Sequence, residues 1–496
     1  VKLSEILKDV GTKSIQGPVD RLIRALRYDS RRVEANDVFF AWKGEKSDGH
    51  SYIAEVCDKG AAAVVLENPA FASGKGSTFI EVESARRVMA LMSASFFGRP
   101  DRALKMAGVT GTNGKTTTSF ILKHLLTEPK VPIGLIGTVR YEIGERILPA
   151  SRTTPESLDL HELLAQMKAA NCRAAVMEVS SHALDQGRVA PIEFQVGIFT
   201  NLTQDHLDYH HTLENYFTAK SILFTNLDRQ ENPGVAVINA DDPHGMKLIR
   251  LLDGRVRTIS YTMKGLAGAE LEARDISVTT EGTTGTLRVG EETFPFSLPL
   301  IGSYNVANML AAVGGALALG IAPLVIVERL LTVPQVPGRL EKFVSPDGVT
   351  AVVDYAHTDD AVRKALTVLR GITRGRLIAV LGCGGNRDAM KRPLMARAAV
   401  ECADYSIFTS DNPRNENPEV ILDHMEAGLL PGTAAGKYER IADRRQAIAH
   451  ALALAQPGDV VCIAGKGHET TQEIAGQYHP FDDRIVVGEF LQRRAA

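Results

Sequence analysis

Apolar residues in this chain come in short runs that break abruptly into glycine and polar residues, and the runs alternate with stretches of helical period. From Leu104 the runs read LKMAGVT, VPIGLIG, AAVMEVSS, VGIFTNLT and VAVINADDP. Alternation of this kind predicts a mostly parallel sheet covered by helices. After the punctuation Pro334-Gln-Val-Pro-Gly338 the pattern resumes in GVTAVVDYAHT, RLIAVLGCGG, YSIFTSDNPR and DVVCIAGKGHE, which predicts a second α/β domain with its loops gathered at one sheet edge. Residues 267–298, with EGTTGTLRVGEETFPFSL, predict antiparallel hairpins, and the first hundred residues mix short strands and helices before the polar linker Gly98-Arg-Pro-Asp-Arg102. The expected fold is α/β in three domains, residues 1–102, 103–336 and 337–496, a number that a chain of 496 residues accommodates at roughly 150 residues per domain.

One apolar stretch runs against this picture. Met309 to Val327 contains no charged residue and meets the crude length of a membrane span. Its Ala and Gly content, with Gly320-Ile-Ala-Pro323 as a stop followed by a new start, predicts two packed helices of a water-soluble domain and no membrane span. The N-terminal VKLSEILKDV reads as an amphipathic helix start, not a signal sequence. A net charge of -3 gives no reason to expect nucleic acid as a partner. Five scattered cysteines with no CxxC pair argue against a zinc site or a disulfide framework and fit a cytoplasmic location.

The strongest chemical signal is Gly108-Val-Thr-Gly111-Thr-Asn-Gly114-Lys115-Thr116-Thr117. Between a strand and a helix, such glycines let backbone N–H groups wrap phosphate oxygens while the lysine reaches the terminal phosphates and the hydroxyl holds magnesium. Val109 stands where the general template has glycine, which sets this loop apart from the generic GTPase or ATPase loop. Two further strand ends are polar: Glu178-Val-Ser-Ser-His182 and Asn201-Leu-Thr-Gln-Asp-His206. A carboxylate and an imidazole there suit a cation shared with phosphate oxygens. Lys220, on an otherwise aromatic and aliphatic helix, reads from its pattern as a snorkelling lysine. A buried amine there has a second option, reaction with CO2 to present a carboxylate to a metal. In Ser410-Asp-Asn-Pro-Arg414 the composition is that of a turn, and Asn417-Pro418-Glu419 that of a helix start. Arg414, a rigid five-donor fork at the carboxyl end of a strand, exceeds what a turn requires.

These stretches, with YFTAK, GSYNVANMLAA, PGRLE, GCGGNRD and GKGHE, closely resemble the Mur ligases, ATP-dependent enzymes of bacterial cell-wall precursor synthesis. The resemblance covers nearly the whole chain, including Asp29-Ser-Arg31 and the run from Lys43 to His50. It implies a UDP-binding first domain, a central P-loop ATPase-type domain and a C-terminal Rossmann-like domain that brings the incoming amino acid. It also implies an acyl-phosphate reaction on the D-glutamate carboxylate of UDP-N-acetylmuramoyl-L-alanyl-D-glutamate, with ATP and Mg2+, small-molecule partners and a monomeric state. Carried over by position, Gly111, Thr112, Asn113, Gly114, Lys115, Thr116 and Thr117 would bind triphosphate, and Asn305, Arg339, Asp354 and His357 would contact nucleotide. Thr116, Glu178 and His206 would hold metal, and Lys220 would be N6-carboxylated. The resemblance further implies that Lys115, Lys220 and His206 would form the catalytic set. Ser30, Thr153, Thr154, Ser180, Gln186 and Arg188 would contact the UDP-muramyl dipeptide.

Chemistry then separates the possible amino acids. Meso-diaminopimelate ends in a carboxylate and an ammonium, L-lysine in an ammonium alone. An arginine fork suits the first. Arg387, Asn412 and Arg414 are expected at its carboxylates, with Pro413 stiffening the loop and Asp411, Gly465 and Glu469 around its distal end. Three positions depart from the family pattern: Asn386, Asp359 and Arg152. The alternatives are a folylpolyglutamate synthetase, which lacks the N-terminal UDP domain and the DNPR segment, and a nucleotide-switch protein that forms no bond.

Overall fold

The computed structural model describes residues 1–44, 47–74, 76–429 and 436–494. Glu45 and Lys46, within the Lys43 to His50 run, lie outside the described residues. The chain divides into two compact units, Val1–Glu272 with Asn308–Pro323, and Ala273–Ala307 with Leu324–Ala496.

The first unit contains two sheets. The N-terminal one orders its strands Ser14–Gln16, Thr78–Glu81, Ala63–Leu66, Val38–Ala41, Leu26–Arg27, parallel except for the first. Val38–Ala41 and Ala63–Leu66 are buried at every position, as strands covered on both faces must be. The second sheet is built around Lys105–Thr110, flanked in parallel by Ala174–Glu178 and Val196–Phe199. Val235–Asn239 and Arg257–Thr262 continue it on one side, and Ile133–Ile136 on the other, where Arg140–Ile143 and Arg146–Pro149 close it antiparallel. Within this unit Tyr28 on the N-terminal sheet donates to Asp159 of the helix Ser157–Ala169 at 2.6 Å.

In the second unit the sheet runs Glu341–Val344, Thr350–Asp354, Val460–Ala464, Leu377–Leu381, Tyr405–Phe408, Tyr438–Arg440, all parallel but the first. Every apolar run after Gly338 is therefore a buried parallel strand, and the loops that follow lie at one edge. Thr283–Val289 and Glu292–Leu298 form the expected antiparallel hairpin. The strand before them, Leu271–Val278, differs from expectation: it opens in parallel with Arg257–Thr262. The apolar stretch resolves into the helices Ser303–Ala318 and Pro323–Leu330. Among the described residues no helix is long and apolar enough to cross a membrane.

Candidate functional site

The strand Lys105–Thr110 ends where a side chain would no longer fit. A Cβ on Gly111 would collide with Thr200 Oγ1, and one on Gly114 with Asn308 Oδ1; both glycines have positive φ, 149° and 87°. Glycine therefore lets the loop backbone turn tightly into the helix Lys115–Leu126, the strand-to-helix setting in which a loop binds phosphate. Lys115 Nζ donates to the carbonyls of Gly111 and Thr112 at 2.8 and 2.9 Å. Asn113 N–H is held by Asn201 Oδ1 at 3.0 Å, and Thr112 Oγ1 donates to the Thr203 carbonyl at 3.2 Å, so the next strand's loop braces this one.

Glu178 ends its strand fully buried. Its Oε2 accepts from Thr116 Oγ1 at 3.1 Å and Thr138 Oγ1 at 3.0 Å, and its Oε1 from Thr138 N at 2.9 Å. Lys220 is not a snorkelling lysine: the structure corrects that pattern reading, since its side chain is 1 % exposed. Its ammonium donates to the Gly111 carbonyl at 2.9 Å and lies 4.6 Å from the Tyr216 ring centroid. Burial, then the neighbouring Lys115 charge, pushes its pKa well below the ordinary lysine value, with Asp205 opposing. His206, at φ 51°, packs its ring 4.9 Å from His182 and 6.2 Å from Tyr216. Tyr216 thus touches both His206 and Lys220, and its hydroxyl lies 3.3 Å from Thr112 Oγ1.

Thr154, Ser180, Gln186 and Arg188 form one network. Thr154 Oγ1 donates to the Glu178 carbonyl at 2.8 Å and accepts from Ser180 N at 3.0 Å. Arg188 reaches the Thr154 carbonyl at 3.0 Å and Gln186 Oε1 at 2.6 Å. Thr153 joins through Thr138, 3.0 Å between hydroxyls. The sequence reading missed Glu156, a buried carboxylate beneath this network with Arg152, Arg188 and Arg86 at 2.6, 3.2 and 3.7 Å. Arg152 is one of the three departures, and Glu156 is its partner. Ser30 sits on the N-terminal sheet, buried in a turn capped by Asp29, with its carbonyl held by Lys59 at 2.9 Å.

In the second unit the loops after Asp354, Phe408 and Ala464 converge. Asp354 accepts backbone N–H groups of Leu340 and Ala356 at 2.8 and 2.9 Å, and its carbonyl accepts from Gly465 N at 3.1 Å. Burial raises its pKa and Arg339 opposes. Arg339 lies 4.9 Å over the Tyr355 ring, whose other ring neighbours include His357 and His468. His357 is exposed overall, and partial desolvation of its ring lowers its pKa. Asn305, buried at the start of the helix Ser303–Ala318, donates to the Ile301 carbonyl at 2.8 Å.

Asn417 caps the helix Pro418–Glu426, as its sequence predicts. Ahead of it the turn is more tightly built than composition suggests. Arg414 has φ 53°, its N–H bonds the Glu473 carbonyl at 2.9 Å, and its guanidinium reaches the Gly385 carbonyl at 2.8 Å and Glu473 at 3.2 Å. Asn412 Nδ2 donates to Glu469 at 2.8 Å. Desolvation of the half-buried Asp411 raises its pKa against the pull of Arg444 and Lys466. A Cβ on Gly465 would lie 2.6 Å from Asp411 Oδ2, and one on Gly384 2.9 Å from Arg414 and 3.7 Å from Arg387 Cγ. Arg387 itself is exposed. Lys466, the lysine between the two glycines of GKGHE, went unread in the sequence; it is fully buried and bonds Asn412, Glu469 and the Thr471 carbonyl.

Three family models match in order: the Mur ligase family, catalytic domain over residues 22–97, the Mur ligase middle domain over 109–316, and the Mur ligase, glutamate ligase domain over 338–467. A relative from Geobacter metallireducens, named UDP-N-acetylmuramoyl-L-alanyl-D-glutamate--2,6-diaminopimelate ligase, is 40% identical over 503 residues and 98% of each chain. The chain belongs to the Mur ligase family. A relative of the same name from Gloeobacter violaceus is 43% identical over 495 residues, 100% of this Mur ligase and 99% of that one. A solved structure of a ligase of that name matches with a TM-score of 0.72 at 32% identity, over 100% of this chain and 99% of that one. The three-domain Mur ligase architecture follows, with the phosphate loop in the middle domain and the Arg414 turn in the C-terminal one.

Proposed function

We propose that this Mur ligase joins meso-diaminopimelate to the D-glutamate γ-carboxylate of UDP-N-acetylmuramoyl-L-alanyl-D-glutamate at the expense of ATP, in bacterial cell-wall synthesis. The observation that carries the reading is the pair of lysines on one phosphate-loop carbonyl: Lys115 and Lys220 both donate to Gly111. The names of its full-length relatives point to the same reaction. Domain limits near residues 102 and 336 go with this reading.

A carboxylate resists attack by an amine until one oxygen becomes a leaving group. Phosphoryl transfer from ATP to the γ-carboxylate forms an acyl phosphate and releases ADP. The amino nitrogen then adds to the acyl carbon, and the tetrahedral intermediate collapses with loss of phosphate and a proton. Gly111 to Thr117 cradle the triphosphate, with Lys115 leaving its backbone carbonyls for phosphate oxygens. Asn305, Arg339, Asp354 and His357 serve the nucleotide. Thr154, Ser180, Gln186 and Arg188, with Thr153 and Ser30, orient the UDP-muramyl dipeptide. Arg387, Asn412 and Arg414 serve carboxylates of the amino acid, with Asp411, Pro413, Gly465 and Glu469 shaping its site.

The oxygen donors suit a divalent cation: Thr116 Oγ1 and Glu178 Oε2 are 3.1 Å apart and both hard, and the family pattern adds His206, whose ring packs beside Tyr216. Mg2+ there would neutralise charge as the anions approach. Lys220 fits carboxylation on Nζ: its amine is buried and bonded to the Gly111 carbonyl, and burial pushes its pKa well below the ordinary lysine value, which favours the form that reacts with CO2. The test is phosphate release from ATP with the UDP-muramyl dipeptide plus meso-diaminopimelate, with the tripeptide product identified by mass. Release with a folate and glutamate, and none with the muramyl substrate, would make it a folylpolyglutamate synthetase.

A further inference from the structure

Lys466 is a fully buried cation of the C-terminal sheet edge that the reaction above leaves without a role. An ammonium has three N–H donors and no acceptor. Here all three are used: Asn412 Oδ1 at 3.1 Å, Glu469 Oε2 at 2.9 Å and the Thr471 carbonyl at 2.7 Å. Asn412 Oδ1 also accepts from Glu473 N at 3.0 Å, while Asn412 Nδ2 donates to the same Glu469 oxygen at 2.8 Å. The Asn412 amide is thereby locked in one orientation. Both of these bonds to Glu469 fall on Oε2 of a side chain that is 32% exposed.

The charges around this network cancel in pairs. Lys466 opposes Glu469, Arg414 opposes Glu473 at 3.2 Å, and Arg444 opposes Asp483 at 2.7 Å with both side chains fully buried. Arg339 offsets Asp354, and Asp411 and Arg387 remain as one charge of each sign. These charges sum to zero. A side-chain end that carries both an ammonium and a carboxylate suits a neutral site, whereas a bare ammonium suits a site with one surplus carboxylate. Specificity is a difference of affinities, and one buried charge is enough to move it.

We propose that Lys466 is a positioning residue for the incoming amino acid: acting through Asn412 and Glu469, it sets the site's net charge and so its preference for a zwitterionic over a singly cationic side-chain end. The proposal rests on the ligase reading given above. Its test compares meso-diaminopimelate with L-lysine as acceptors, the wild type against Lys466→Met and Glu469→Gln, with KM and kcat measured for each amino acid and for ATP. Lys466→Met leaves a surplus negative charge and shifts the diaminopimelate-to-lysine ratio of kcat/KM toward lysine by about tenfold or more. Glu469→Gln, at a partly exposed position that folds readily, leaves a surplus positive charge and shifts the ratio the other way. The KM for ATP stays within about twofold in both, a separation that general loosening of the fold would not produce.

Ratios that move in the same direction in the two variants, or do not move, overturn the proposal. If Lys466→Met does not fold, the direction of the Glu469→Gln shift decides alone. A wild type that prefers diaminopimelate with unshifted variants sinks this inference and leaves the ligase reading standing; a wild type that joins neither amino acid sinks both.

Discussion

Among the described residues two lysines are removed from solvent, Lys220 at the phosphate loop and Lys466 at the C-terminal sheet edge, and their partners differ. Lys220 meets the Gly111 carbonyl and the face of Tyr216, with Lys115 on the same carbonyl and no carboxylate bonded to it. Lys466 meets a carboxylate, an amide and a carbonyl. Burying an ammonium without a bonded acid is costly, which lowers the pKa and favours the neutral, nucleophilic amine. A buried ammonium with an acid is a fixed charge that orders what surrounds it. The two proposed roles follow these partners: carboxylation at Lys220 and electrostatic selection at Lys466.

Substitutions can break that contrast, and the largest effect belongs to the reactive side. Lys220→Ala is expected to lower phosphate release by about a thousandfold, the scale of removing a group that serves a catalytic metal. Added short carboxylic acids should restore part of it; full activity in the variant would end the carbamate role. Native mass of the intact protein should show one added CO2 in wild type and none in the variant.

Arg414→Ala is next. It should raise the KM for diaminopimelate by roughly ten- to a hundredfold, the loss of a charge-assisted pair, and leave the ATP and UDP-substrate constants unchanged. Equal loss toward all three substrates would return the turn to mere architecture.

A buried imidazole gives a smaller, pH-dependent effect. His161 lies in the helix Ser157–Ala169 with neither ring nitrogen hydrogen-bonded, and burial pushes its pKa down to about 3, with Arg99 adding to the shift. The folded state therefore holds it neutral, while the unfolded chain takes up a proton near its ordinary value of 6.5. Its neutrality costs nothing above that value, and stability is lost as pH falls from about 6.5 toward 3, by up to roughly 1.4 kcal/mol per pH unit. His161→Leu should flatten this acid limb in urea unfolding measured at successive pH values. An unchanged limb would show that other groups set it.

The smallest expected effect is at the edge of the amino-acid site. Asn417→Ala removes the cap on Glu419 N–H and should cost about 1 kcal/mol of stability without altering the choice of amino acid. A change in that choice would tie the helix start to selection.

Much of this was legible in the sequence, for a physical reason. Strands buried on both faces must be apolar throughout and must end in polar loops, so Ala174–Glu178 and Val460–Ala464 read directly, and so did Gly111 to Thr117. The Asn417 cap is equally local. What stayed hidden depends on contacts between distant positions. Lys466 meets Asn412 across 54 residues, and nothing in GKGHE alone shows an acceptor for its charge. Glu156 gathers Arg86 and Arg188 from separate helices and loops. Lys220 read as a surface-seeking residue because its helix pattern cannot tell which face Gly111 will cover. The unit division is also nonlocal, since the helix Ser303–Ala318 begins in one compact unit and ends in the other.

The most direct test of the account is a competition of meso-diaminopimelate against L-lysine in the wild-type ligation reaction, with the product resolved by mass. The charge balance at Lys466 and the fork of Arg414 predict a diaminopimelate tripeptide in large excess. A product dominated by lysine would contradict the account.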